Sequence, residues 1–177
     1  GYRAWIGHAA FGPEDTGMHV FNEIESLPAI LIAAYSLEQG LEEFYQLMAK
    51  RVENNSAQMI FERLAGIEEK HKERIFAEYG NIESAPNNRK EFEKQIQADY
   101  MEGGMTTEEY LQMFMPNQDS PQDVIELAMS IESQALDLYQ RAADRHKDSD
   151  ISSFFQRMSG EEKEHLLRLG ELMEEVL

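Results

Sequence analysis

An internal repeat constrains the fold of this chain more than any other feature. The segment FERLAGIEEKHKERI at 61–75 aligns without a gap on FQRMSGEEKEHLLRL at 155–169, an offset of 94, the difference between 61 and 155. The same offset aligns segments upstream of these two, around residues 36–51 and 130–145. Both copies have helical periodicity, so the repeat predicts a bundle with pseudo-twofold symmetry in which equivalent residues face each other.

Four long segments have helical periodicity, and strand signals are nearly absent. The first helix is predicted to begin near Ser26 and to end at the breaker pair 54–55. The second is predicted to begin at Ala57, with Ser56 as its cap, and to end near Tyr79. These two helices form an antiparallel hairpin.

The second hairpin follows a polar connection at 81–119, which contains room for short helices at 88–100 and 107–114. The third helix is predicted to begin after Ser120 and to end near Lys147, and the fourth extends to the end of the chain. We therefore predict an all-α, ferritin-like four-helix bundle, with two antiparallel helix hairpins joined by a long crossover.

Each of the four long helices carries an acidic residue inside an apolar stripe that should face the core. The second and fourth helices also carry a histidine three residues after that acid, on the same face. An unpaired buried carboxylate costs several kcal/mol, so something must compensate the charge. The six residues are Glu38, Glu68, His71, Glu132, Glu162 and His165.

Two divalent metals would supply the compensating charge. Two helices each give one Glu, and the other two each give a Glu-x-x-His pair, which is a ligand set found in the cores of helical bundles. The chain contains no cysteine, so any metal must be held by oxygen and nitrogen ligands. The alternative is a pair of Glu–His hydrogen bonds in the core, duplicated with the repeat.

From about Glu23 to Leu177 the chain resembles the ferritin-like diiron domain of the rubrerythrin family. The resemblance depends on two Glu-x-x-His motifs, each with a partner Glu 30 residues upstream and a Tyr seven residues after that Glu. It implies an oxo- or hydroxo-bridged pair of iron ions and reduction of hydrogen peroxide. It also implies roles for individual residues: Glu68 and Glu162 bridge, Glu38 and Glu132 bind terminally, His71 and His165 supply nitrogen, and Tyr45 and Tyr139 hydrogen-bond around the ligands.

Two features depart from the family pattern. Rubrerythrins usually have a further ligand Glu three residues after the third-helix Glu, and Ala135 takes that place here. The inferred site is therefore more symmetric and closer to bacterioferritin-like sites. The chain also lacks the cysteine-rich rubredoxin module that normally supplies electrons, so we expect an external electron-donor protein or a donor that lies outside this fragment. Manganese or a mixed Fe/Mn pair would suit the same ligands.

Several alternatives follow from the same residues. The main one is a ferroxidase or iron-handling protein, and another is a non-catalytic bundle in which metal stabilises an oligomer. The two tyrosines could instead pack in the core with their hydroxyls satisfied locally. Glu42, whose repeat partner is Leu136, either contacts or gates the metals or is a partly exposed acid on the helix surface.

Charge and hydropathy exclude other classes of partner. The net charge of −18 disfavours binding to nucleic acid or to an anionic membrane, because both require a basic surface. The longest apolar run, at 28–35, is far shorter than the roughly 20 residues that span a bilayer.

We expect a cytoplasmic homodimer that reacts with hydrogen peroxide or dioxygen.

The N-terminal segment 1–22 is predicted to lie outside the bundle domain at 23–177. Its sequence GYRAWIG resembles the closing segment of rhodanese-like domains. The chain begins without methionine, so we interpret it as a fragment of a longer protein with such a domain upstream. The alternative is a flexible tail.

Overall fold

The computed structural model describes residues 26–81, 88–94, 96, 120–147 and 150–176. These residues form helices and no strands, which confirms the all-α prediction. The helices are α1 (Leu27–Arg51), α2 (Asn55–Gly80), α3 (Arg89–Glu93), α4 (Pro121–Arg145) and α5 (Asp150–Val176). Each of the four long helices is about 38 to 40 Å long, at 1.5 Å per residue.

The long helices pack as two hairpins, α1 with α2 and α4 with α5, and α2 also contacts α4. One apolar cluster combines the first half of α1 and the beginning of α5 with the last turns of α2 and the second half of α4. A second cluster combines the opposite ends of the same helices. The partners in each hairpin are therefore antiparallel. The end of α2 lies in the first cluster and the beginning of α4 in the second, so these two ends are at opposite ends of the bundle, as a long crossover requires.

The beginning of α2 differs from the prediction. α1 ends at Arg51, and the side chain of Asn54 accepts hydrogen bonds from the backbone N–H groups of Ser56 and Ala57. Asn54 is therefore the N-cap, and Ser56 lies in the first turn of α2. The predicted beginning of α4 is confirmed, because Ser120 accepts a hydrogen bond from the N–H of Asp123.

Within the described residues the crossover contributes one short helix, α3, inside the range predicted as helical at 88–100. The fully buried Phe92 anchors α3 by packing edge-on against Tyr35, with ring centroids 5.0 Å apart, and against Tyr79, 4.5 Å away. The helix predicted at 107–114 and the N-terminal segment 1–22 lie outside the described residues.

None of the helices in the described ranges is both long enough and apolar enough to cross a membrane.

Candidate metal centre

A layer of charged side chains lies between the two apolar clusters. On α1, Leu37 belongs to one cluster and Leu41 to the other, with Glu38 between them. The same interruption occurs on the other three long helices. All six predicted ligands lie in this layer and are 0 to 8% exposed: Glu38, Glu68, His71, Glu132, Glu162 and His165.

The Glu-x-x-His spacing brings each histidine beside the glutamate of its own helix. His71 Nδ1 lies 3.2 Å from Glu68 Oε2, and His165 Nδ1 lies 3.4 Å from Glu162 Oε2. Residues three apart share one helix face, which explains both contacts. The two imidazole rings stack at 4.5 Å with an angle of 11° between their planes. The pseudo-twofold symmetry of the repeat is thus present at the centre of the bundle.

The remaining carboxylates approach the imidazoles from other helices. Glu38 Oε2 lies 3.1 Å from His71 Nδ1, and Glu132 Oε2 lies 3.4 Å from His165 Nδ1. Glu162 faces both rings, with Oε1 3.4 Å from His71 Nδ1 and Oε2 directed at His165. A carboxylate that presents one oxygen to each half of the site has the orientation of a bridging ligand.

The donor atoms form groups of three that could each hold a metal ion. The donors of Glu38, Glu68 and His71 lie within 4.8 Å of one another, and so do those of Glu68, Glu132 and His165. These two groups share Glu68. A third group of this kind combines Glu162 with both histidines.

The chemistry of the donor set fits metal ions. In the described part of the chain, five buried carboxylate oxygens of Glu68, Glu132 and Glu162 have no hydrogen-bond partner. Buried polar atoms are normally satisfied, because an unsatisfied one costs about 1 to 3 kcal/mol. Oxygen and imidazole nitrogen donors suit iron and manganese. Two cations in this layer would satisfy the carboxylates that the protein leaves unpaired.

Without metal, the site holds protons in place of cations. Burial and the nearby charge of Glu132 raise the pKa of Glu68 well above its ordinary value of 4.5. Burial and the charges of Glu132 and Glu38 do the same to the pKa of Glu162. Metal ligands must be deprotonated, so these protons compete with metal.

Glu38 and His71 form the ionised pair of the metal-free site. Burial favours neutral His71, but the charge and hydrogen bond of Glu38 outweigh it and raise the pKa of His71 to about 11. Burial also favours neutral Glu38, and His71 outweighs this effect, so the pKa of Glu38 falls below 4.5. Tyr139 Oη donates a further hydrogen bond to Glu38 Oε1, at 3.0 Å.

The structure places the two predicted tyrosines differently. Tyr139 contacts a predicted ligand directly through its hydroxyl. Tyr45 is fully buried in the neighbouring apolar cluster, with its ring centroid 5.4 Å from Phe44 and 6.0 Å from Phe61. Ala135, in the position of the usual additional ligand, is buried in the other cluster.

Glu161 reaches the site from α5 and was not predicted from the sequence. Glu161 Oε2 lies 3.6 Å from His71 Nε2, the ring nitrogen that faces away from the carboxylate layer. Its other oxygen pairs with Arg74 on α2. The repeat partner of Glu161 is Ile67, so comparing the two copies gave no indication of this contact.

A second unpredicted feature is the buried Lys72, which immediately follows His71. Its ammonium group pairs with Glu42 and, at 2.9 Å, with Glu69. Glu42 also accepts a hydrogen bond from Gln46 at 2.7 Å, and it belongs to none of the metal-binding groups within the described residues. Glu42 is therefore an ion-pair partner on the outer side of α1.

The same ion-pair network fastens α3 to the first hairpin. Both terminal nitrogens of Arg89 donate to Glu69, at 2.7 and 2.9 Å, and its Nε donates to Tyr35 Oη. Tyr35 Oη in turn donates to Glu93 Oε1 at 2.8 Å. Hydrogen bonds from Arg89 are the main cause that lowers the pKa of Glu69 to about 2.

We expect the Lys72→Leu variant to be destabilised by about 3 kcal/mol, because it leaves the largely buried Glu42 without its cation. The repeat partners of these two residues are Leu166 and Leu136, so the second hairpin has leucines where the first has an ion pair. The Lys72→Leu/Glu42→Leu double variant should therefore recover most of the loss. Urea unfolding measures the stability of both variants. A double variant as unstable as the single one would contradict this prediction.

Comparisons with known proteins agree with this architecture. A family model described as Rubrerythrin matches residues 29–173. Among solved structures, an uncharacterised conserved protein from Magnetospirillum magnetotacticum MS-1 superposes with a TM-score of 0.60 at 22% identity, covering 86% of this chain and 97% of that one. At this level of identity the likeness concerns the fold alone, and it supports the predicted bundle. No curated protein matches the chain significantly.

Proposed function

The chain belongs to the rubrerythrin family, and we propose that it is a diiron protein that reduces hydrogen peroxide with electrons from an external donor protein. The main support is the pair of donor groups that share Glu68, one completed by His71 and the other by His165. Two adjacent positions with a common carboxylate suit two metals held close together.

In this proposal the carboxylates divide into two kinds. Glu68 and Glu162 would each be a ligand to both metals. Glu38 would bind the same metal as His71, and Glu132 would bind the same metal as His165. Tyr139 holds Glu38 by donating to Oε1, which leaves Oε2 directed at the site. Hydrogen bonds of this kind orient metal ligands and tune their basicity.

The iron pair would supply the two electrons that convert hydrogen peroxide and two protons into two molecules of water. The protein holds the reacting centre between two apolar clusters, which exclude bulk water from both ends of the site. Its largely buried carboxylates and imidazoles fix the donor atoms without exposing them to solvent. A separate donor then restores both electrons.

The Glu162→Ala variant tests this proposal against Glu164→Ala, which removes an exposed acid two residues away. Protein loaded with Fe²⁺ without oxygen is mixed rapidly with hydrogen peroxide, and the near-ultraviolet absorbance is recorded. We expect a fast change in the wild type and in Glu164→Ala, and no fast change in Glu162→Ala, since one of the shared ligands is gone. Equal rates in all three proteins, or no reaction in the wild type, would contradict the proposal.

A ferroxidase or iron-handling role is the second candidate, and Ala135 favours it. The buried alanine leaves the two positions with matching ligands, one Glu and one His each with two shared carboxylates. With excess reductant, a peroxidase continues through many equivalents of peroxide. An iron-handling protein instead stops after about one equivalent because the oxidised iron leaves the site.

A further inference from the structure

The repeat makes the two metal positions nearly equivalent, but the side chains around the two histidines differ. His71 has carboxylates near both ring nitrogens: Glu38, Glu68 and Glu162 near Nδ1, and Glu161 near Nε2. His165 has Glu132 and Glu162 near Nδ1. Within the described residues, no carboxylate forms an ion pair with its Nε2.

The difference is encoded in the sequence. The residue that corresponds to Glu161 on α2 is Ile67, which has no polar atom to offer His165. His165 is also slightly more exposed, at 8% against 3% for His71. The difference at Nε2 therefore follows from a single substitution between the two copies of the repeat.

Glu161 is placed to act on His71 and on little else inside the bundle. Its Oε2 is buried and has no hydrogen-bond partner among the described residues, and His71 Nε2 lies 3.6 Å away. That separation is slightly longer than a hydrogen bond, so a shift of about 0.5 Å would close it. The other oxygen of Glu161 pairs with Arg74.

We propose that Glu161 is a positioning residue for His71, and that the metal position of His71 therefore binds its ion before the position of His165. A carboxylate that accepts the N–H of a ligating histidine fixes the tautomer, so that Nδ1 presents its lone pair to the metal, and makes the ring a better donor. Loss of such a contact typically weakens metal binding by about 10 to 100-fold. The inference rests on the proposed two-metal site.

Titration of the metal-free protein with Mn²⁺, followed by calorimetry and by the electron paramagnetic resonance of free Mn²⁺, tests this order of binding. We expect two resolved steps in the wild type. The Glu132→Ala variant loses a ligand of the His165 position, so it should keep the tighter step. The Glu38→Ala variant loses a ligand of the His71 position, so it should keep only the weaker step. Two steps of equal affinity, or the reverse assignment, would overturn the proposal.

The Glu161→Ala variant should weaken the tighter step by about 10 to 100-fold and leave the other unchanged. Glu161→Gln should restore most of the affinity, because its amide oxygen can still accept the N–H of His71. Arg74→Ala breaks the same ion pair but keeps the carboxylate, so it should preserve the order of binding. If Arg74→Ala weakens the tighter step as much as Glu161→Ala does, the effect is structural and the proposal fails.

The Ile67→Glu variant offers an independent test, because it gives α2 the acid that α5 already has. We expect it to tighten the weaker step and reduce the difference between the two. An unchanged weaker step in a folded Ile67→Glu protein would count against the proposal. If the wild type binds no Mn²⁺ and no Fe²⁺, the two-metal site itself is wrong, whereas two ions bound with equal affinity would refute only the order of binding.

Discussion

Replacing Glu68 by leucine is expected to abolish binding of two metals per chain and, at the same time, to stabilise the metal-free protein. Glu68 is shared by the group that contains Glu38 and His71 and the group that contains Glu132 and His165. It is also fully buried, and neither carboxylate oxygen has a hydrogen-bond partner in the described structure. An unsatisfied buried polar group costs about 1 to 3 kcal/mol, so an apolar side chain of similar size in its place should stabilise the metal-free protein by a similar amount.

Metal content and urea unfolding with a chelator measure the two effects of Glu68→Leu. The matched control is Glu73→Leu, which replaces an exposed acid on the same helix. The control should bind metal like the wild type and change stability by less than about 0.5 kcal/mol. If Glu68→Leu still binds two metals, Glu68 is not a shared ligand. If it is less stable without metal, the contact of Glu68 with His71 stabilises the folded protein by more than the burial of the carboxylate costs.

The stability of the metal-free protein is expected to fall as the pH rises from about 5 to 9. Glu68 and Glu162 have raised pKa values, so the folded state keeps protons that the unfolded state loses above about 4.5. His71, with a pKa of about 11, does the same above its ordinary value of 6.5. A folded state that binds more protons than the unfolded state loses stability with rising pH, by about 1.4 kcal/mol per pH unit for each such proton.

Metal should reverse this dependence, because bound ligands have already lost their protons. With excess Mn²⁺ we expect stability to rise from pH 5 to about 6.5, where the histidines of the unfolded state lose their protons, and then to level off. The lowered pKa values of Glu38 and Glu69 act only below about 4.5, outside this window. Urea midpoints measured from pH 5 to 9, with chelator and with Mn²⁺, test both slopes. Parallel curves would contradict this account of the site.

Helical periodicity and the repeat together were sufficient to identify the residues of the central layer. A glutamate such as Glu38 inside an apolar stripe is visible in the sequence, and its counterpart Glu132 makes coincidence improbable. The structure brings together all six residues predicted in this way. Helical periodicity describes one helix at a time, and the repeat compares one helix with its copy.

Contacts without either signal were missed. Glu161 acts on His71 of another helix, and its copy in the repeat is Ile67, so neither periodicity nor symmetry points to it. The pairing of Lys72 with Glu42 likewise depends on how α1 and α2 pack. The cap of α2 was misplaced for a local reason, because two adjacent polar residues precede Ser56 and only the geometry of the turn selects Asn54.

We infer that six buried side chains hold two metal ions between the apolar clusters. A crystal structure of the protein loaded with Fe²⁺ under anaerobic conditions, with anomalous data collected on both sides of the iron absorption edge, would locate these ions. We predict two anomalous peaks per chain, one beside Glu38 and His71 and the other beside Glu132 and His165, with Glu68 and Glu162 between them. A single peak, or none within the layer of charged side chains, would contradict the claim.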